Sequence, residues 1–138
     1  MNIEQFNIFK KSPKFNKERY ELGLVAELEV LDTLREFFED GTIFPLSEGH
    51  QFDFTGKNKK IEFKSRSVYR LTYEDTAIGI QKINKSRLME GIENHFYVFK
   101  YVNGLYYWKY DSKLFLRQGK INGINHYFID VRELIKIT

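Results

Sequence analysis

An α/β sandwich around one mixed sheet is the fold class the sequence predicts. Three observations predict it: a helical period near the N-terminus, short alternating segments bounded by turn residues, and a second helical stretch set between strands. At 138 residues the chain is one domain's worth, so a single domain over 1–138 is expected, with 1–16 as an N-terminal arm. With 42% hydrophobic residues, including 13 Phe and 9 Tyr, the chain has too many large side chains for a disordered tail.

The elements follow in order. Residues 1–16 mix Phe, Asn and Lys around Ser12-Pro13 without a clear period. From Lys17 to Glu39, Tyr20, Leu24, Leu28, Leu31, Leu34 and Phe38 recur every three or four residues, the spacing of one helix face. Asp40-Gly41 supplies the stop, with Gly41 expected in the left-handed conformation. Strands are expected at Thr42–Leu46, Gln51–Thr55 and Lys60–Ser65; the last two place Phe52, Phe54, Ile61 and Phe63 on one face. Gly56-Lys57-Asn58-Lys59 between them is a hairpin turn. Thr76–Gly91 reads as a second helix, weakened at Gly79. His95–Val102 and Leu105–Tyr110 are aromatic strands joined at Asn103-Gly104, Asn125–Asp130 a further strand, and Val131–Ile137 a short closing segment.

Composition excludes several classes of function. Without cysteine there are no disulfides, zinc–thiolate sites or cysteine nucleophiles, and the three histidines, His50, His95 and His126, do not stand at ligand spacing. A bound metal would therefore sit mainly on carboxylates, which suits a hard cation such as Mg²⁺ or Mn²⁺. No apolar run exceeds four residues, so no membrane-spanning helix is expected, and the opening Met1-Asn2-Ile3-Glu4 carries no secretory pattern; a cytoplasmic protein is the expectation. Phosphate-loop, dinucleotide and EF-hand motifs are missing. The net charge is +3, with 11 basic and 7 acidic side chains in 70–138 against 11 and 12 in 1–69, a balance that permits nucleic-acid binding without demanding it.

Two anomalies stand out. Projected at about 100° per residue, Glu27 falls among Leu24, Leu31 and Leu34, inside the stripe meant for the core, whereas Glu21, Glu29, Asp32 and Glu36 face solvent. An inward carboxylate is costly unless a cation or donors meet it. In the hairpin, a turn centred on Lys57-Asn58 sets Asp53 opposite Glu62, with Lys64 on the same face two residues later. Opposed carboxylates repel unless solvated or bridged; a divalent cation would convert the repulsion of Glu27, Asp53 and Glu62 into coordination.

These residues resemble a known family. Asp53, eight intervening residues and Glu62-Phe63-Lys64 are similar to the Asp…(Asp/Glu)-x-Lys signature of the PD-(D/E)XK nuclease superfamily. Gly23-Leu24-Val25-Ala26-Glu27 resembles the segment opening the first helix of its archaeal Holliday-junction-resolvase branch, and Phe52 stands where the name-giving proline would be. The resemblance covers about residues 20–102. It implies a restriction-endonuclease-like fold, a central mixed β-sheet flanked by helices, and a Mg²⁺-dependent DNA endonuclease (Mn²⁺ substituting) active on branched DNA as a homodimer. It implies Glu27, Asp53, Glu62 and Lys64 as the catalytic set. Asp53, Glu62 and the Phe63 backbone carbonyl would bind the metal, Glu27 directly or through water, and Lys64 would activate the attacking water or stabilise charge on phosphorus.

Gln81, Lys82 and Lys85 on the second helix are candidate auxiliary residues, the first and last sharing a face. Lys57, Lys59, Lys60, Arg66, Tyr69 and Arg70 are candidate DNA contacts. Taken singly, each of these DNA-contact candidates reads first as a plain solvated surface group, and a solvent-facing lysine is the simpler reading for at least one of the helix candidates. The aromatic runs Phe96–Phe99 and Tyr106–Trp108 read as strand core before base-stacking platforms. The alternative function is a non-catalytic nucleic-acid-binding module on the same fold. The bias toward Lys, Asn, Ile and Tyr suits a virus, phage or mobile element.

Overall fold

Side chains that alternate between two faces, as in Lys60-Ile61-Glu62-Phe63-Lys64, bury best in a sheet covered on both sides, and the computed structural model of the protein builds its centre on this segment. Residues 28–46, 52–114 and 116–138 are described; Glu27, His50, Gln51 and the arm 1–16 lie outside them. The fold is mixed α/β with a central mixed sheet. The chain forms two compact units, Met1–Lys57 and Asn58–Thr138.

In the first unit, helix α1 is described over 28–37. Leu34 of the expected face is buried, Leu31 and Phe38 are half-buried, and Glu29, Asp32 and Glu36 are exposed as expected; Val30 is buried beside them, whereas Leu28, expected on the same face, is 53% exposed. The stop differs as well. Glu39, not Gly41, takes the left-handed conformation (φ 50°), and the buried Asp40 organises the turn. One Asp40 oxygen accepts from the Thr42 amide (2.9 Å) and hydroxyl (2.5 Å), the other from the Lys57 amide (2.9 Å), and these carboxylate bonds outweigh the small cost of a left-handed glutamate. Strands β1 (Phe44–Pro45) and β2 (Phe54–Gly56) pair antiparallel, Phe44 opposite Thr55 and Pro45 opposite Phe54. Both are shorter than the sequence suggests.

In the second unit, β3 (Lys59–Ser65) lies parallel to β5 (Asn94–Tyr101), with Glu62 opposite Tyr97 and Lys64 opposite Phe99. Parallel neighbours need a crossover, and residues 66–93 supply it. That segment is not one helix over Thr76–Gly91. It contains strand β4 (Asp75–Gly79) and then helix α2 (Ile80–Met89). The strand forms because Thr76 and Ile78 alternate inward and pair with Ile129 and Tyr127; Gly79 marks the change of period. Strand β6 (Gly104–Lys109) turns back antiparallel on β5, and β9 (Ile135–Lys136) follows at the edge of β6. At the β5–β6 turn Gly104 holds φ 153°, and a Cβ there would meet the Thr138 carbonyl and the Tyr106 ring at 3.0 Å.

A three-stranded sheet, β4–β8–β7, completes the unit, with β7 at Arg117–Ile121 and β8 at Ile124–Asp130. β7 carries too little apolar alternation to read as a strand. Its turn, Asn122-Gly123 with φ 52° and 78°, carries the true hairpin signal.

Because β5 and β6 are in register, Tyr97, Phe99 and Tyr101 share a face with Trp108 and Tyr106. They pack with Ile78, Ile83, Tyr127 and Ile129 into one core, so these aromatics are core and not a stacking surface. The Tyr97 and Trp108 rings lie 5.6 Å apart, Tyr101 and Tyr106 6.0 Å apart near edge-to-face. Phe99 is fully buried at the centre. Phe99→Ala is expected to destabilise the fold by about 3–5 kcal/mol, read from the urea midpoint at unchanged slope.

Candidate active site: a buried carboxylate between two lysines

Glu62 lies mid-strand on the face of β3 that carries the Tyr97–Phe99 aromatics across the ladder. Its side chain is 4% exposed. A carboxylate so placed must be matched by positive charge. Lys64, one strand repeat further along the same face, puts Nζ 3.0 Å from Oε1. Lys82, in the first turn of α2, puts Nζ 3.1 Å from Oε2. Both ammonium groups are about one-third exposed, so the cluster has a buried anionic base, a solvent-facing cationic rim and a formal charge of +1.

The backbone of α2 is held where Lys82 can reach. The Tyr97 hydroxyl donates to the Lys82 carbonyl (3.0 Å) and lies 2.5 Å from Ser86 Oγ, which in turn lies 3.0 Å from His95 Nδ1. Tyr97 has one proton and gives it to Lys82, so Ser86 donates to Tyr97 and His95 Nδ1–H donates to Ser86. This order places the imidazole proton on Nδ1. Burial pushes the Tyr97 hydroxyl well above its ordinary pKa, and the nearby Glu62 charge adds to the rise; Tyr97 stays protonated and keeps donating. Burial also pulls His95 below its ordinary value, against the Glu93 carboxylate that favours its charged form.

Of the other candidate residues, Glu27 lies outside the described residues. Asp53 belongs to the first unit, where its carbonyl accepts from the Leu46 amide (2.8 Å), while Glu62, Lys64 and Lys82 belong to the second. Phe63 is buried on the opposite face, next to Val98. Of the three auxiliary candidates, Lys82 meets Glu62; Gln81 is exposed and Lys85 half-buried. Lys60 is paired with Glu93 at 3.1 Å. Arg66 bonds Thr76 Oγ1 (3.2 Å) and the Ala77 carbonyl (3.0 Å) above the Phe99 ring. Arg70 bonds the Val131 carbonyl (3.2 Å) and stacks over Tyr106. Lys57 and Tyr69 are exposed, and Lys59 is half-buried.

Sequence reasoning missed the Ser86–His95–Tyr97 chain. Its signal was weak: Lys82 and Ser86 stand four apart on one face of a helix, and Tyr97 shares a strand face with His95. Among the described residues no three His, Asp or Glu side chains gather as a metal site.

No family model matches the chain, and no curated protein matches it. Among solved structures, the chain is similar to Hjc, a Holliday junction resolvase from the archaeal hyperthermophile Archaeoglobus fulgidus. The TM-score is 0.52 at 13% identity, over 77% of this chain and 94% of that one. The chain has a resolvase-like fold. At this identity the likeness concerns the path of the backbone alone.

Two outcomes follow from the site. Lys82→Met leaves Glu62 buried with one ammonium and is expected to cost about 1–3 kcal/mol in urea unfolding; adding Glu62→Gln should recover much of that loss. His95 is held neutral in the fold, so its contribution to stability is present above the ordinary histidine pKa. That contribution is lost as pH falls through the ordinary value toward the depressed one. The urea midpoint should drop between pH 7.5 and 5.5, and His95→Gln should flatten that drop.

Proposed function

We propose that the chain is a Mg²⁺-dependent DNA endonuclease, structure-specific on branched DNA and acting as a homodimer. The observation that carries this reading is the buried Glu62 carboxylate with Lys64 and Lys82 at its solvent side, on a resolvase-like fold. Carboxylate and carbonyl oxygens form a hard donor set, which suits Mg²⁺ or Mn²⁺. Asp53, Glu62 and the Phe63 carbonyl would hold the ion, with Glu27 completing the shell. Bound there, the ion would supply a water of lowered pKa and a counter-charge for the phosphoryl oxygens.

The chain's own groups do the rest. Lys64 presents its ammonium to solvent, where it stabilises the charge that builds on the phosphate in the transition state. Its bond to Glu62 fixes that ammonium before substrate arrives, so little reorganisation remains at the moment of reaction. Lys82 steers the second Glu62 oxygen, and the Tyr97 hydroxyl anchors the helix turn that carries it.

A second reading, a binding module without hydrolysis, draws on the same cluster: two lysines already satisfy Glu62, so the carboxylate stands paired without any ion. Incubation with four-way junction, flap, duplex and single-stranded DNA, with and without Mg²⁺, separates the two. The hydrolase reading expects metal-dependent cleavage that falls by about 10²–10³ in Lys64→Ala and is abolished in Asp53→Ala. Cleavage that survives both substitutions would falsify it. DNA binding without cleavage, and without heat on titration of Mn²⁺, establishes the module. Light scattering at the assay concentration checks the dimer.

A further inference from the structure

A second feature opens beside the candidate site and is not used by it. Lys64 also lines a cleft of about 590 Å³ running along the end of β3 and the β4–β8 sheet. Its wall carries Arg66, Arg70 and His126, with Tyr73 at the rim and Asp75 as its one carboxylate among the described residues. Asp75 is already ion-paired with Arg117. Arg66 and Arg70 bond neutral oxygens, so their charges remain available to an anion through the electrostatic field of the cleft. The lining described is therefore mainly cationic, and Lys64 is part of it.

Tyr73 gives the cleft its second property. Tyr73 is 64% exposed, in extended backbone directly after the short helical turn Arg70–Thr72, beside the exposed Tyr69 and Leu71. Apolar surface presented on a loop at the rim of a cationic cleft is suited to a flat, partly apolar partner. A nucleobase is such a partner, and its phosphates match the cations. In a continuous duplex the base faces are hidden by their neighbours in the stack, so only an unpaired base can meet the ring.

We propose that this cleft takes an unpaired segment of a DNA strand, with a base stacked on Tyr73 and the backbone led along Arg66 and Arg70 toward Lys64. The proposal rests on the DNA-hydrolase reading for its purpose, and it narrows the substrate to DNA with an unpaired stretch beside the cleaved phosphate. Binding itself needs neither metal nor hydrolysis.

The test is fluorescence anisotropy in EDTA at low salt with the full chain, using a short labelled oligodeoxythymidine and a fully paired, loop-free duplex of matched length. The single strand is expected to bind more tightly. Tyr73→Ala should weaken single-strand binding by about tenfold, leave the duplex within about twofold, and Tyr73→Phe should restore it. Equal losses on both probes, or no loss on either, overturn the proposal. Cleavage with Mg²⁺ is read separately. Selective single-strand binding without cleavage of any substrate supports the cleft and defeats the hydrolase reading. Cleavage of continuous duplex with no single-strand preference defeats the cleft and leaves the hydrolase reading standing.

Discussion

A charged carboxylate buried in the middle of a strand is the constraint around which the second unit is arranged. Glu62 sits where the ladder would otherwise place an apolar residue, next to Tyr97 and on the face packed by aromatics. The energy needed to strip such a group of water is several kcal/mol, and only close cations offset it. Lys64 comes from the same strand at no topological cost, because the side-chain period is two. Lys82 must come from elsewhere. It is delivered by α2, which the crossover between parallel β3 and β5 brings over this face.

The remaining polar groups of the region follow from that delivery. The Lys82 carbonyl, in the first turn of α2, takes a further bond from the Tyr97 hydroxyl, while Ser86 and His95 complete the chain. The tyrosine thus serves two ends: its ring belongs to the core, and its hydroxyl fixes the turn that aims Lys82. Burial keeps it protonated and His95 neutral, so the chain of donors runs in one direction at neutral pH.

The cations divide by the kind of partner they have. Lys60, Lys64 and Lys82 face carboxylates, whereas Arg66 and Arg70 lie against carbonyls and rings. A planar guanidinium can bond a neutral oxygen at its edge, stack on an aromatic with its face and still project its charge, which a lysine does poorly. That difference explains how one side of the unit holds a nearly neutralised cluster and, next to it, a cleft that remains positive.

Local pattern alone determined the strand at Lys59–Ser65, the aromatic hairpin through Asn103-Gly104 and the pairing of Glu62 with Lys64, because each depends on residues within a few positions of one another. It also marked the helix now described over 28–37, its buried Leu34 and its exposed Glu29, Asp32 and Glu36, but not the edge of the buried face: Leu28 fits the period and lies in solvent, since packing partners and not spacing set how wide that face is. The segment Thr76–Gly79 satisfies a helical period and is a strand because Ile129 and Tyr127 of a distant strand are there to pair with it. In the same way, three helix residues were equal candidates in sequence, and only the parallel register of β3 with β5 and the position of α2 selected Lys82. A contact across twenty residues of chain is decided by the crossover, a three-dimensional fact that no local spacing encodes.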